Sequence, residues 1–116
     1  MRKNKDSVIC SKVADYIADI ENLVSGYLRE DFLNDIRTNR AVCMTLVVIG
    51  EILPNMSEES LKQLSLPIRE IRGLRNVLAH KYGEVNMERI WVTITEDMPV
   101  LKKDISKLSM ELLHKE

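Results

Sequence analysis

The sequence predicts an all-α protein, an antiparallel bundle of four or five helices. Apolar residues recur at intervals of three and four along almost the whole chain, which is the period of an amphipathic helix. The one stretch with strand-like composition, 92–95, lies inside a longer run with helical spacing. The chain has 116 residues, the length of one domain, so we expect residues 1–116 to form a single helical domain.

The first two helical regions follow from their apolar patterns. The first apolar pattern predicts one amphipathic helix with Gly26 near its end. Its apolar face would consist of Ile9, Val13, Tyr16, Ile17, Ile20, Leu23, Val24 and Tyr27. Phe32 begins a second helical region. Its continuation over 41–53 is apolar nearly all round except for Glu51, which predicts a helix buried on most sides. Pro54 ends this helix because proline cannot continue it.

Capping residues and a proline mark the next two helices. Ser57 is a good N-cap, and the acidic residues after it favour the positive end of a short third helix. Pro67 suits the first turn of the following helix. Because Gly73 costs about 1 kcal/mol of helix propensity relative to alanine, we expect close packing or a bend there. The inward residues of this helix would be Ile68, Ile71, Leu74, Val77 and Leu78.

The last long helix is predicted to begin after a loop at 81–85. Asn86 can cap it, since its side chain can accept a hydrogen bond from a backbone N–H of the first turn. Pro99 lies inside the apolar pattern, so we expect a kink or break near 95–98. The inward residues would be Met87, Ile90, Trp91, Ile94, Met98, Leu101, Ile105, Leu108 and Leu112.

Composition narrows the classes of function. A net charge of -1 and a pI of about 6.1 weigh against a protein that coats nucleic acid by bulk charge, although they leave room for a local basic cleft. No apolar stretch approaches the roughly 20 residues of a membrane-spanning helix. The N-terminus is basic (Arg2, Lys3 and Lys5), but polar residues at 11, 12 and 15 soon interrupt the apolar residues that follow. We therefore predict no signal peptide and a cytoplasmic protein.

The cysteines and histidines indicate no metal centre. Cys10 and Cys43 are far apart, belong to no C-x-x-C pair and lie among apolar residues, so we predict buried reduced thiols. With two histidines and no cysteine cluster, the chain has no recognisable zinc site.

Chemistry is concentrated in residues 69–82. This stretch holds the densest mix of cationic and proton-transferring groups in the chain: Arg69, Arg72, Arg75, Asn76, His80, Lys81 and Tyr82. On an ideal helix, Asn76 lies ~40° and Arg69 ~20° from His80. Arg72 lies about 80° away, but Arg75 lies about 140° away. Arg75 and His80 would therefore converge only if the helix distorts near Ala79, or if two copies meet across a two-fold axis.

Such a cleft suits cleavage of RNA without a metal ion. The ribose 2′-hydroxyl can be the nucleophile, His80 can move protons near neutral pH, and Arg75 can clamp the phosphate oxygens. Asn76 could position a group, and Tyr82 would project at the mouth of the cleft. A plain structural interpretation also fits: a histidine that caps helix carbonyls, a solvated arginine face and a loop tyrosine packed on the bundle.

Residues 71–82 resemble the signature of HepT-like members of the HEPN superfamily, Arg-x4-6-His followed by x-Tyr. The similarity extends in order over nearly the whole chain, through 16–20 in the first helix, 49–51 in the second and 85–102 in the last. The sequence departs from many relatives at 66–68, where they carry a tryptophan, and at 52–54, where they carry small residues.

The resemblance implies a dimeric helical bundle with the motif in the dimer cleft. It implies an RNase that is the toxin of a type VII-like toxin–antitoxin pair. The partner would be an MntA-like minimal nucleotidyltransferase that neutralises the toxin by transferring AMP to the motif tyrosine. By position, Arg75 and His80 would be catalytic, Asn76 a supporting polar residue and Tyr82 the AMPylation site, with no cofactor or metal. Candidate phosphate contacts are Arg69, Arg72 and Lys81.

Two other functions remain open at this point. The chain could be a non-catalytic HEPN scaffold that binds a nucleotide or a nucleotidyltransferase. It could also be a plain helical adaptor in which the motif is a coincidence. An intact arginine, histidine and tyrosine favour the RNase, because a scaffold has no need for all three. The low aromatic content, 4%, argues against a stacking platform for single-stranded nucleic acid.

Overall fold

The structure is a computed structural model that describes residues 4–115. Its α-helices are α1 (Lys5–Leu23), α2 (Arg29–Asn34), α3 (Ile36–Ile52), α4 (Glu58–Leu61), α5 (Ile68–His80), α6 (Met87–Val92) and α7 (Met98–Lys115). Residues 4–115 contain no strand, so the predicted all-α bundle is confirmed. Arg2 and Lys3, on which the expectation of no signal peptide partly rests, lie outside the described residues.

The core lies between three long helices. α1 packs against both α3 and α7, and it contributes Val13 and Ile17 to the interior. α5 packs chiefly on α3, and Leu78 is its one fully buried side chain. The helix that carries the candidate motif therefore lies at the edge of the bundle, with most of its circumference open to ligands or partners.

Side-chain caps set several helix boundaries. The side chain of Ser57 accepts a hydrogen bond from the Ser60 backbone N–H at 3.3 Å, and α4 begins at the next residue. Asn86 accepts one from the Glu88 N–H at 2.9 Å at the start of α6. Both predicted caps are confirmed. They work because each side chain satisfies a backbone donor that has no partner within the helix.

The first two helical regions differ from the prediction in their bounds: the first helix is shorter, and the second region is divided. α1 ends at Leu23, and the chain then turns through Gly26, whose φ of 78° favours glycine. Val24 and Tyr27 therefore lie outside the helix, although both still pack on the core. The second region is two helices, because Asp35 is extended and its side chain caps the start of α3.

Two expectations about α5 are wrong, and one exposed residue interrupts the burial of α3. Residues 41–53 are buried or half-buried as predicted, except that Met44 is 63% exposed in addition to Glu51. Val77 on α5 is 40% exposed and points away from the core. Gly73 is not closely packed, since a β-carbon built there meets nothing within 4 Å, and α5 continues through it without a break. These departures follow from the edge position of α5, which covers only one side of α3.

The proline in the last helical pattern distorts the chain as predicted. Between α6 and α7 the backbone forms a π-helical turn, Thr93–Asp97. Pro99 has no N–H to donate, and its ring would clash with the carbonyl four residues earlier in a regular α-helix. The wider turn accommodates this ring. Ile94, Met98 and Leu101 remain buried across the distortion, in agreement with the predicted inward face.

A buried carboxylate ties the start of α1 to α4. Asp6 accepts hydrogen bonds from the Ser57 N–H at 2.9 Å, the Ser57 hydroxyl at 2.5 Å and the Ser60 hydroxyl at 2.6 Å. Burial raises the pKa of Asp6, but the hydrogen bonds from both serines outweigh it and nearby Lys5 adds to them, so the net pKa is lowered. The ionised form therefore stabilises this end of the bundle.

Candidate functional site

The motif helix lies antiparallel to α3 and packs tightly against it at a glycine. A β-carbon built at Gly50 would lie 2.6 Å from the Arg75 Cβ and 3.0 Å from its Cγ. Any side chain at position 50 would therefore push α5 away. The sequence favoured close packing or a bend at Gly73 instead. The signal for Gly50 was a glycine inside an apolar helix, where it lowers helix propensity without a local reason.

Three hydrogen bonds from the guanidinium of Arg75 fix its orientation. Its Nε donates to the Glu51 Oε1 at 3.1 Å, and its Nη2 donates to the same oxygen. Its Nη1 donates to the Asn76 Oδ1 at 3.1 Å. Since a guanidinium has five N–H donors, two remain for an anion. The structure thus brings together the predicted residues Arg75 and Asn76, and it gives a role to Glu51, which the sequence left unassigned.

The ion pair between Arg75 and Glu51 contributes orientation more than stability. The side chains are 28% and 50% exposed, respectively. Water and salt screen such pairs, whose contribution is about 0–1 kcal/mol. The pair lines a shallow cavity of about 280 Å³ together with Gly50, Pro54, Arg72 and Asn76. Arg72, a predicted phosphate contact, therefore shares this cavity with Arg75. Because Glu51 balances the charge of Arg75, the guanidinium of Arg72 gives the cavity its net positive charge.

His80 lies away from this cavity. It is the last residue of α5 and is exposed. The helix is regular up to that point, since the Lys81 N–H donates to the Val77 carbonyl at 2.8 Å. The distortion near Ala79 that the sequence left open does not occur. On a regular helix, Arg75 and His80 project about 140° apart, so one chain does not bring the two side chains together.

Tyr82 borders a second cavity on the same seam between α3 and α5. It begins the short 3-10 turn Tyr82–Glu84 and is 36% exposed. The guanidinium carbon of Arg40 lies 5.9 Å from the centre of its ring. The cavity measures about 360 Å³ and is lined by Arg40, Cys43, Met44, Val47, Leu78 and Tyr82. The contact of Arg40 with Tyr82 was not predicted, because nothing in the local sequence links an arginine to a tyrosine 42 positions later.

The two other predicted phosphate contacts are less closely associated with the site. Arg69 and Lys81 are exposed, and neither lines the Arg75 cavity or the Tyr82 cavity. Both remain within the basic region around the motif, but the structure gives them no contact with Arg75. Their assignment as phosphate contacts stays a prediction.

The cysteines are buried and free, as the sequence predicts. Burial raises the pKa of both the Cys10 and the Cys43 thiols to about 11, and the Asp6 carboxylate adds to the effect on Cys10. Both thiols are therefore protonated at neutral pH and are poor nucleophiles. Among residues 4–115, no group of three or more histidine, cysteine or acidic side chains is placed to hold a metal ion. The same residues include no helix long and apolar enough to cross a membrane.

The edge helix of the bundle carries the arginine and histidine of the Arg-x4-His-x-Tyr motif, packs against a Gly-Glu pair and is followed by the motif tyrosine, in agreement with the resemblance to HEPN proteins. Residues 13–108 match the family model described as "Ribonuclease HepT-like". The chain belongs to this HepT-like ribonuclease family, and the resemblance seen in the sequence is confirmed.

Relatives from bacteria and archaea support the same assignment. A protein of Thermococcus cleftensis named "Probable ribonuclease HepT" is 36% identical over 109 residues, which cover 92% of this chain and 96% of that protein. A protein of Caldanaerobacter subterraneus, provisionally named an RNase, is 38% identical over 94 residues, 80% of each chain. One of Methanocaldococcus jannaschii, also provisionally named an RNase, is 28% identical over 101 residues, 86% of this chain and 84% of that one. No solved structure matches the sequence significantly.

Proposed function

We propose that this chain is a metal-independent RNA endonuclease, the toxin of a type VII-like HepT/MntA pair, and that it acts as a homodimer. The observation that carries the proposal is the state of Arg75. Its guanidinium is held on one side by Glu51 and Asn76, retains two free N–H donors and shares a positive cavity with Arg72. A fixed, partly unsatisfied arginine is suited to stabilising a phosphate whose negative charge grows in the transition state.

The proposed reaction uses the RNA's own nucleophile. The ribose 2′-hydroxyl attacks the adjacent phosphorus, a 2′,3′-cyclic phosphate forms, and the bond to the 5′-oxygen of the next nucleotide breaks. His80 takes the proton from the 2′-hydroxyl, and the imidazolium so formed gives this proton to the leaving 5′-oxygen. Arg75 neutralises the charge on the non-bridging oxygens, and Asn76 keeps the guanidinium in place. The positive groups of the cleft would make RNA binding weaker at high salt.

The dimer is proposed because one chain separates the two catalytic groups. Arg75 and His80 project about 140° apart on α5, yet both must reach one phosphate. A two-fold axis beside α5 would let Arg75 of one protomer and His80 of its partner face each other. Val77, which is 40% exposed on α5, provides apolar surface beside His80 for such a contact.

Regulation is proposed at Tyr82. Its hydroxyl would attack the α-phosphorus of ATP in a reaction catalysed by an MntA-like nucleotidyltransferase; pyrophosphate would leave and the phenolic proton would go to solvent. The half-exposed ring at the surface turn is consistent with access by such an enzyme. Each AMP added would bring a negative phosphate and a base next to the positive seam, where they would compete with RNA.

A non-catalytic scaffold is the second candidate, and one observation favours it. His80 lies outside the Arg75 cavity in the single chain, so without a dimer the two groups have no common target. In that case the seam would bind a nucleotide or a nucleotidyltransferase without cleaving RNA.

The test is induced expression of the wild type, Arg75→Ala and His80→Ala in a heterologous bacterium, with growth and total RNA integrity followed together. His114→Ala is the matched control, because His114 is an exposed histidine on α7, away from the motif. We expect the wild type and His114→Ala to halt growth and degrade RNA, and the other two to do neither. Purified wild type should keep its RNase activity in EDTA. Equal behaviour of all four proteins would reject the RNase and support the scaffold.

A further inference from the structure

The seam between α3 and α5 has a second cavity that the proposed cleavage does not use. Its walls are the ring of Tyr82 at one end, the guanidinium of Arg40 beside that ring, and an apolar floor. Met44 on the floor is 63% exposed, so its apolar side chain is accessible to a ligand in the cavity. At about 360 Å³ the cavity has the size of a small-molecule site.

Arg40 carries a charge that no acidic group neutralises. Among the described residues it forms no ion pair, and its contact is with the face of the Tyr82 ring. Its N–H donors are therefore available to an anion, and a guanidinium matches the geometry of a phosphate. The neighbouring ring and the apolar floor offer a surface on which a planar base can stack. The guanidinium, the aromatic ring and the apolar floor together suit a nucleotide, which has both a planar base and a phosphate.

We propose that the groove formed by Arg40, Met44, Val47, Leu78 and Tyr82 is a nucleotide subsite that takes one nucleoside monophosphate unit. The base would lie on the Tyr82 ring and the floor, and the phosphate would lie on Arg40. This inference deepens the proposed function, because the unit would come from the RNA substrate, but it can be tested without catalysis.

The subsite lies in line with the Arg75 cavity. Residues 40–47 of α3 border the groove, and residues 50–54 border the Arg75 cavity. On the antiparallel α5 the order is reversed, with 72–76 at the Arg75 cavity and Leu78 at the groove. Eleven residues separate Arg40 from Glu51, a rise of about 16 Å on a helix. An RNA strand along this seam would place one phosphate at Arg75 and a nucleotide further along the same strand at Tyr82.

The experiment is a titration of the full chain with adenosine 5′-monophosphate, followed by NMR of the methionine methyl groups. The Met44 signal, assigned with Met44→Leu, should shift in a saturable way. Adenosine alone and inorganic phosphate alone should each bind at least about tenfold more weakly, because each satisfies only part of the site. A short oligodeoxynucleotide, which lacks the 2′-hydroxyl and cannot be cleaved, should shift the same signal and should be displaced by the mononucleotide.

Matched variants separate the two halves of the site. Arg40→Gln should weaken mononucleotide binding about tenfold or more, since it removes a charged hydrogen-bond donor. Arg37→Gln, an exposed arginine on the same helix outside the groove, should leave binding unchanged. Tyr82→Phe keeps the ring and should bind as the wild type does, whereas Tyr82→Ser should bind several-fold more weakly.

Three outcomes would overturn the subsite. One is a Met44 signal that does not respond to the mononucleotide. Another is equal binding by Arg40→Gln and Arg37→Gln. The third is a Met44 signal that shifts on dilution of the free protein and not on ligand addition, which would assign the groove to a second copy of the chain. Failure of the proposed function is a different result, because a wild type without RNase activity can still bind the mononucleotide in this groove.

Discussion

Gly50 and Arg75 form a close contact between α3 and the motif helix α5. A methyl group at Gly50 would lie 2.6 Å from the Cβ of Arg75, a separation that real β-carbons essentially never show. The Cβ of Arg75 is fixed to the backbone of α5 and cannot move aside alone. The absence of a side chain at Gly50 therefore sets the distance between α3 and α5, and with it the reach of Glu51 to the Arg75 guanidinium.

Gly50→Ala should accordingly destabilise the protein. Overpacking costs about 1–3 kcal/mol, and the gain in helix propensity offsets about 1 kcal/mol of it, so we expect a net loss of about 1 kcal/mol in urea unfolding. Gly73→Ala is the matched control, because a β-carbon at Gly73 meets nothing within 4 Å. It should gain up to about 1 kcal/mol. If the two variants were equally stable, the close contact would not limit the packing of α5.

Glu51→Gln should reduce RNase activity with little effect on stability. The neutral amide keeps an oxygen acceptor but loses the charge that holds Arg75, so kcat should fall at least about tenfold. The pair is solvent-exposed, so the free energy of unfolding should change by less than about 1 kcal/mol. The Nε–H signal of Arg75 in NMR, identified with Arg75→Lys, should change its chemical shift towards that of a solvent-exposed arginine. Unchanged kcat with a displaced Nε–H signal would show that the orientation of Arg75 does not matter for the reaction.

The helices were predictable because their signals are local. Apolar periodicity, the caps Ser57 and Asn86 and the proline in the last helix each act within a few residues. The exposure of Met44 was not predictable, since periodicity shows that a helix has apolar residues but not which sides its neighbours cover. The residues of the site likewise divide into those that local sequence predicts and those that it does not. The motif is contiguous in sequence, but the partners Glu51 and Arg40 come from α3 and meet the motif only through tertiary packing.

Arg75→Ala and His80→Ala should complement each other when mixed. In a shared cleft, a heterodimer of the two variants contains one composite site with an intact arginine from one chain and an intact histidine from the other. After the mixture is unfolded and refolded together, we expect each heterodimer to have up to about half the activity of a wild-type dimer. Each variant alone should stay inactive. No recovery, in a mixture shown by mass spectrometry to contain the heterodimer, would mean that both groups must come from one chain.

Incubation with an MntA-like nucleotidyltransferase and ATP should add AMP to the wild type and inhibit it. Tyr82→Phe should gain no mass, because it lacks the phenolic oxygen that attacks the α-phosphorus. Tyr16→Phe is the control, since Tyr16 lies on α1, away from the seam. Intact-mass spectrometry measures the additions, and an RNase assay on the same samples measures the inhibition. The same mass gain in Tyr82→Phe as in the wild type would place the modification on another residue.

Acid should destabilise the fold through Asp35 and Asp6. The Tyr27 hydroxyl donates a 2.5 Å hydrogen bond to Asp35, and together with the Thr38 N–H and hydroxyl it lowers the pKa of Asp35 from 3.8 to about 2. The pKa of Asp6 is lowered as well. Because both values are lower in the folded protein, the stabilisation is fully present above the ordinary value of 3.8 and is lost as the pH falls towards the folded values.

Tyr27→Phe isolates the contribution of Asp35. Without the phenolic hydroxyl, the folded pKa of Asp35 should rise towards its ordinary value, so the free energy of unfolding should fall less steeply between pH 4 and pH 2, a window set by the shift from 3.8 to about 2. Urea unfolding over that range measures the slope. Tyr16→Phe should keep the slope of the wild type, because Tyr16 has no contact with Asp35. Equal slopes for the wild type and Tyr27→Phe would mean that the remaining hydrogen bonds, from Thr38 and from the Arg37 backbone, hold the Asp35 carboxylate ionised without the phenol.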